Sequence, residues 1–165
     1  GYDSAGIATL KSNFINEKKC SGRVEELEKI LFKTPSDGNI GIGHVRWATH
    51  GIPNVVNAHP HSSESVSVVH NGIIENSDEL KRELESKGLK FKSQTDTEVI
   101  TLLITEELKN NKPLESVFKT LQKLKGSFAL GIIFKNFSDI IIGARRGSPL
   151  AVGYSNDENL SLIHI

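Results

Sequence analysis

The stretch from Gly41 to Asn76 constrains this chain most, because it carries charged and polar side chains on segments that otherwise read as buried strands. Two segments, GIGHVRWATHG (Gly41 to Gly51) and VVHNGIIEN (Val68 to Asn76), flank NAHPH (Asn57 to His61). In the first, alternation sets Ile40, Ile42, His44 and Arg46 on one face of a strand that breaks at Ala48-Thr49-His50-Gly51. In the second, Val66, Val68 and His70 share a face, and the run ends in Asn71-Gly72. Two apolar strands that bring Arg, Thr, His, Asn and Gly to one end describe a small-molecule site built on a rigid sheet.

Around this centre the periodicities predict alternating blocks of strands and helices. Gly6 to Leu10 reads as a strand, and Val24, Leu27, Ile30 and Leu31 recur at helical spacing before the Pro35-Ser36-Asp37-Gly38 turn. Asn76 is placed to cap a helix through Lys87, with Glu79 three residues on and Gly88 as its stop. Thr95-Asp96-Thr97-Glu98 has capping-box spacing ahead of a helix that is apolar most of the way round and therefore buried. A further helix starts near Pro113, with Leu114, Val117, Phe118, Leu121 and Leu124 on one stripe and Gly126 as its end. Ser127 to Lys135 and Asp139 to Ala144 read as a hairpin or meander, and Leu150 to Tyr154 as another strand. Strands, then helices, then strands, joined by short connections, predict an α+β fold in one domain.

Composition removes several classes. Among 165 residues, Lys+Arg and Asp+Glu both number 20, so no charge imbalance points to nucleic acid or an anionic membrane surface. The single cysteine, Cys20, rules out a disulfide framework and fits a reducing, cytoplasmic setting. No apolar run approaches the ~18 residues of a membrane span, and the sequence opens on no signal peptide.

Each polar residue has a bland reading beside the functional one. A guanidinium at the mouth of an apolar strand needs a partner, so Arg46 pairs either with an internal carboxylate or with a ligand's carboxylate or phosphate. Thr49 and His50 stand ready to bind the same anion, although loop polarity accounts for them equally well. Asn71-Gly72 is first of all a turn signal; its functional alternative is an oxyanion hole made of an amide side chain and a backbone N–H. Asp96 in the first turn of a helix suits the helix dipole, and taken alone that reading outweighs the alternative, a carboxylate that binds an ammonium group. His44 and His70 read as hydrogen-bonded histidines within the sheet, and His59-x-His61 as a weak metal pair with no clustered carboxylate. No metal or other cofactor is expected. Trp47 reads as packing, or as a cover over a pocket. Cys20 has no His or Asn near it in sequence and does not read as a nucleophile.

Taken together and in order, GYDSAG, HVRWATHG, NAHPH, VVHNGIIEN and QTDTEVI closely resemble the glutaminase domains of the glutamine–fructose-6-phosphate aminotransferases (isomerising). The likeness runs from Gly1 to about Tyr154. It implies the N-terminal-nucleophile amidotransferase fold, a four-layer αββα sandwich. It also implies glutamine hydrolysis that supplies ammonia to a sugar-phosphate synthase domain for amino-sugar synthesis, in a parent that is a homo-oligomer. By this resemblance Arg46, Thr49 and His50 hold the α-carboxylate of glutamine. Asp96, helped by the Gly72 backbone, takes the ammonium, and Asn71 and Gly72 form the oxyanion hole. Trp47 gates the passage of ammonia, and His59 and His70 support the site. The related amidophosphoribosyltransferases share the HNG and DTE elements but lack the GYDSAG wording. A glutamine-binding module without catalysis and a histidine-based metal hydrolase rank below both. The family nucleophile is a terminal cysteine preceding the stretch at which this chain opens, so the chain as written is expected to be inactive and its sandwich incomplete at the N-terminus. Leu160 to Ile165 departs from the family wording, which divides the chain into a glutaminase domain over 1–155 and a tail over 156–165.

Overall fold

The computed structural model describes residues 3–47, 52, 54–154 and 159–163. Two strands, β1 (Ser4–Lys11) and β2 (Phe14–Ser21), form a hairpin whose two loop residues, Ser12 and Asn13, both have positive φ. That is the backbone twist favoured by two-residue hairpins. The helix α1 (Val24–Lys33) follows, and β3 (Ile40–Arg46) then pairs antiparallel with β1, giving a sheet of order β2-β1-β3. A second sheet has the order β4-β5-β6-β7, from β4 (His61–Ser62), β5 (Val66–Ile74), β6 (Gly126–Phe134) and β7 (Phe137–Arg146). Between β5 and β6 run α2 (Ser77–Ser86), α3 (Asp96–Glu107) and α4 (Pro113–Lys123). The strands β8 (Leu150–Tyr154) and β9 (Asn159–Ile163) pair with each other. Among the described residues, no helix is long and apolar enough to cross a membrane.

The period of two along each strand sorts its side chains into layers. On β1, Ala8 and Leu10 face the other sheet and meet Ile42, Val69 and Ile133, whereas Ala5 joins Cys20 and Leu27 beneath α1. On β5 and β6, Val66, Val68, Phe128, Leu130, Ile132 and Phe134 face α2–α4 and form the main core with Leu84, Ile100, Leu103 and Ile104. The layers therefore run α1, three-stranded sheet, four-stranded sheet, helices, which is the αββα order expected. The core between the sheets is thin and the helical one thick, so most of the burial energy lies behind β5 and β6.

Several local expectations are corrected. The strand β2 has no counterpart among them, because FINEKKCS shows no clean apolar alternation; it is an edge strand with Phe14 exposed and only Cys20 fully buried. Asn71-Gly72 is no turn: β5 runs through both residues to Ile74, with Asn71 opposite Ala129 and Gly72 opposite Phe128. Asn76 does precede α2, but its side chain makes no cap bond; it donates to the Lys123 carbonyl and accepts from the Lys125 N–H. Thr95 and Glu98 likewise form no capping box, since the Glu98 carboxylate takes the N–H groups of Lys92 and Ser93 instead. On α4 the buried face is Pro113, Ser116, Val117 and Thr120, leaving Leu114 and Phe118 exposed, and the helix ends at Lys123, before Gly126 opens β6. The expected burial of α3 is found, with seven of its twelve residues buried.

Candidate active site

Because adjacent residues on a strand point to opposite faces, β5 serves two neighbours at once. His70 turns towards α3, where its Nδ1 lies 3.1 Å from Thr97 Oγ1 and 3.7 Å from Asp96 Oδ1. Asn71 turns towards β3, where its Oδ1 lies 2.7 Å from His44 Nε2. Between them opens a cavity of about 860 Å³, lined by His44 to Trp47 of β3 and its exit, by His59, by His70 to Ile73 of β5, and by Thr95 to Thr97 at the start of α3. Ser127 and the turn Gly147-Ser148-Pro149 close the remaining side. This space is several times that of one small amino acid and lies in the usual range for ligand pockets.

Two charges of opposite sign share the cavity. Arg46 is buried near the end of β3, and burial lowers its pKa while the carboxylates of Asp3 and Asp96 pull it back up. An arginine withstands such a shift and stays protonated. Asp96 stands in the first turn of α3, where one carboxylate oxygen accepts the Ile74 N–H at 2.9 Å. That bond fixes the carboxylate against β5 while the side chain keeps about a quarter of its surface exposed (24%). Trp47 stands at the rim, 67% exposed.

A layer of imidazoles, His59, His61 and His70 buried and His44 half-buried, supports the floor. His44 and His59 stack with ring centroids 4.4 Å apart, and His61 meets His59 edge-on at 5.0 Å. NAHPH and QTDTEVI, far apart in sequence, are locked together residue by residue. Asn57 Oδ1 accepts the Gln94 N–H at 2.9 Å, His59 Nε2 lies 2.8 Å from Thr97 Oγ1, and His61 Nε2 lies 2.9 Å from Thr95 Oγ1. One hydroxyl, that of Thr97, thus serves two histidines. Replacing it by Thr97→Val keeps the shape but strands two buried ring nitrogens, and should lower the unfolding free energy by about 2 kcal/mol in urea titrations. Burial lowers the pKa of every member of this layer, His61 to about 3, so all four imidazoles are neutral at pH 7.

The structure therefore brings Arg46, Trp47, Asn71, Gly72 and Asp96 to one cavity. Thr49 and His50 lie outside the described residues. Cys20 does not line the cavity: it is buried beneath α1, with its Sγ 3.8 Å from the Arg23 carbonyl. His44 and His70 are hydrogen-bonded as read from the sequence, yet both also line the cavity. Thr95, Thr97, Ser127 and Ser148 join the site without having stood out in the sequence. Thr95 and Thr97 read there only as part of a helix start, and nothing local marks Ser127 or Ser148.

Residues 44–162 match the family described as glutamine amidotransferase domain. A glutamine–fructose-6-phosphate aminotransferase (isomerizing) of Mesorhizobium japonicum is 53% identical over 96% of this chain, and one of Zymomonas mobilis is 51% identical over 96%. The chain spans 26% of the length of these curated relatives. Among solved structures, the glutamine phosphoribosylpyrophosphate amidotransferase of B. subtilis superposes with a TM-score of 0.84 at 28% identity, covering 98% of this chain and 35% of its own. A glutamine aminotransferase class-II domain protein from Silicibacter pomeroyi, 14% identical with a TM-score of 0.70 over 98% of this chain and 80% of its own, shares the fold.

Proposed function

The chain belongs to the glutamine amidotransferase domain family, and on that premise we propose that its cavity takes up L-glutamine and presents the side-chain amide to Asn71 and Gly72. The observation that carries this reading is the pairing of Arg46 and Asp96 in one pocket. An α-amino acid is a zwitterion, and a buried guanidinium with a fixed carboxylate complements its two charges. Arg46, with Thr49 and His50, would hold the α-carboxylate, and Asp96 the α-ammonium. The γ-carboxamide would then lie along β5. Attack by a thiolate on the carboxamide carbon turns the carbonyl oxygen into an oxyanion, and the Asn71 amide with the Gly72 N–H would supply donors for it.

The thiol itself is not among the residues of this pocket, and Cys20 is directed elsewhere. Binding is therefore the activity to measure in this chain. In a longer protein like the curated relatives, the ammonia would pass to fructose 6-phosphate in a joined synthase domain, with Trp47 over the exit. Such a protein would work in the cytoplasm and feed amino-sugar synthesis. The identity of about half the residues to the fructose-6-phosphate enzymes, against 28% to the phosphoribosylpyrophosphate enzyme, favours the former acceptor.

Calorimetric titration tests the proposal. The chain should bind L-glutamine, and Asp96→Asn should weaken it about 10- to 100-fold by removing a charge-assisted bond to the ammonium. Asparagine retains an oxygen for the Ile74 N–H, so the fold should survive the change. A folded chain that ignores millimolar glutamine, or an Asp96→Asn variant that binds as well as its parent, would defeat the reading.

A further inference from the structure

We propose that His44 is a positioning residue, whose Nε2–H holds the side-chain carbonyl of Asn71 so that this amide can offer the cavity only its N–H donors. The inference rests on the glutamine reading above and adds to it the group that sets the polarity of the site. An asparagine amide presents an oxygen on one side and an NH₂ on the other, and a half-turn about the last bond exchanges them. An oxyanion beside the oxygen would be repelled; beside the nitrogen it is stabilised. Something must select between the two, and Asn71 cannot do so alone.

The selector is fixed by geometry. His44 Nε2 lies 2.7 Å from Asn71 Oδ1, a short hydrogen bond between β3 and β5, so it joins the two sheets at the cavity wall. His44 Nδ1 is buried and meets no acceptor within hydrogen-bond distance, the pull of the His70 backbone being the smallest of the influences on the ring. A neutral imidazole carries one proton. Placing it on Nδ1 would bury an orphaned N–H, whereas placing it on Nε2 orphans only a lone pair, the cheaper choice. The His59 ring lies stacked on one face of the His44 ring, centroids 4.4 Å apart. Burial lowers the His44 pKa and the positive charge of Arg46 lowers it further, against the pull of Asn71 and of the His70 backbone. The neutral Nε2–H form therefore persists at pH 7, and it can only donate to Asn71.

The test compares the parent chain with His44→Ala and His44→Gln, using L-glutamine and L-norvaline as ligands. Norvaline has the same α-groups but no side-chain carbonyl, so the ratio of the two affinities reads the donors of Asn71. His44→Ala should cut glutamine affinity about tenfold, the worth of one oriented hydrogen bond, and leave norvaline affinity unchanged. His44→Gln, whose amide nitrogen can stand where Nε2 stood, should restore glutamine binding. Equal losses for both ligands would overturn the proposal and make His44 merely structural, and so would no loss at all. Nitrogen NMR of the His44 ring in the ligand-free chain is an independent measurement: an Nδ1–H tautomer overturns the proposal. If the parent binds neither amino acid while the ring is Nε2–H and His44→Ala disturbs the Asn71 amide signals, the glutamine reading fails and the orienting contact stands.

Discussion

Gly72→Ala should destabilise the fold by about 4 kcal/mol, from strain and overpacking together, and abolish glutamine binding. Gly72 sits within β5 at φ +134°, a conformation that side-chain-bearing residues rarely adopt. A methyl group there would run into the Ser127 carbonyl oxygen and stand 2.8 Å from Phe128 Cα. Both obstacles are backbone of the paired strand β6, so no rotamer change relieves them. Relief would require β5 and β6 to part at the residue proposed to face the substrate carbonyl. Gly88 supplies the control. It ends α2 at φ +86° with nothing within 4 Å of an added methyl group, so Gly88→Ala should cost only about 1–2 kcal/mol, the left-handed penalty alone. Urea midpoints of the two variants, with glutamine titration of whatever folds, would check both. Similar losses for Gly72→Ala and Gly88→Ala would show that close packing of β5 on β6 is not what requires the glycine.

That glycine also shows where local sequence signals stop. Asn-Gly after an apolar run carries a strong turn signal, because both residues tolerate positive φ. In this fold the same tolerance serves a strand interior, where the demand comes from β6, more than fifty residues away in sequence. The helix α1 is legible from its apolar stripe and α3 from being apolar most of the way round. The stripe on α4 misleads because Leu114 and Phe118 continue the pattern while standing in solvent. The cap signals at Asn76 and Thr95 mark the correct boundaries for a reason other than the usual one. Their side chains are spent on Lys123 and Lys125 and on His61, so they mark sites of tertiary contact as much as helix starts.

For the site, residue types and order supply the charges but not their geometry. Arg46 and Asp96 are each open to an internal explanation on type alone, and only the shared cavity sets them facing one ligand space. The alternation of NAHPH looks like a metal pair because two histidines stand two apart. In the fold those histidines and Asn57 reach three partners within one four-residue stretch, at positions 97, 95 and 94, and the apparent ligand spacing is a hydrogen-bonded seam. Among the described residues, no group of three or more ligand-type side chains is arranged to hold a metal. The link between His44 and Asn71 has no sequence signal, since it joins two strands of different sheets.

The same imidazole layer should make the domain acid-labile well above the pH at which carboxylates protonate. In the unfolded chain each histidine takes up a proton near pH ~6.5. In the fold, burial lowers that value for all four: His61 falls to about 3, and His59, beside His44, His61, His70 and Arg46, falls well below its usual range. His70 is lowered by burial too, although the Asp96 carboxylate partly offsets the shift. The unfolded state therefore binds more protons throughout this window, and stability must fall as the pH falls. It is complete above pH ~6.5 and is lost on the way down to the folded values, at about 1.4 kcal/mol per pH unit for each histidine that stays neutral. By pH ~4.5 His61 alone would remove about 2.7 kcal/mol, and His59 acts in the same direction; total domain stabilities are only about 5–15 kcal/mol. Urea unfolding at a series of pH values should show this decline, and His61→Gln, which cannot titrate, should flatten it by about one proton's slope. A stability that stays level from neutrality to pH ~4.5 would mean that water or a backbone opening reaches these rings and that the layer is not the sealed floor of the cavity.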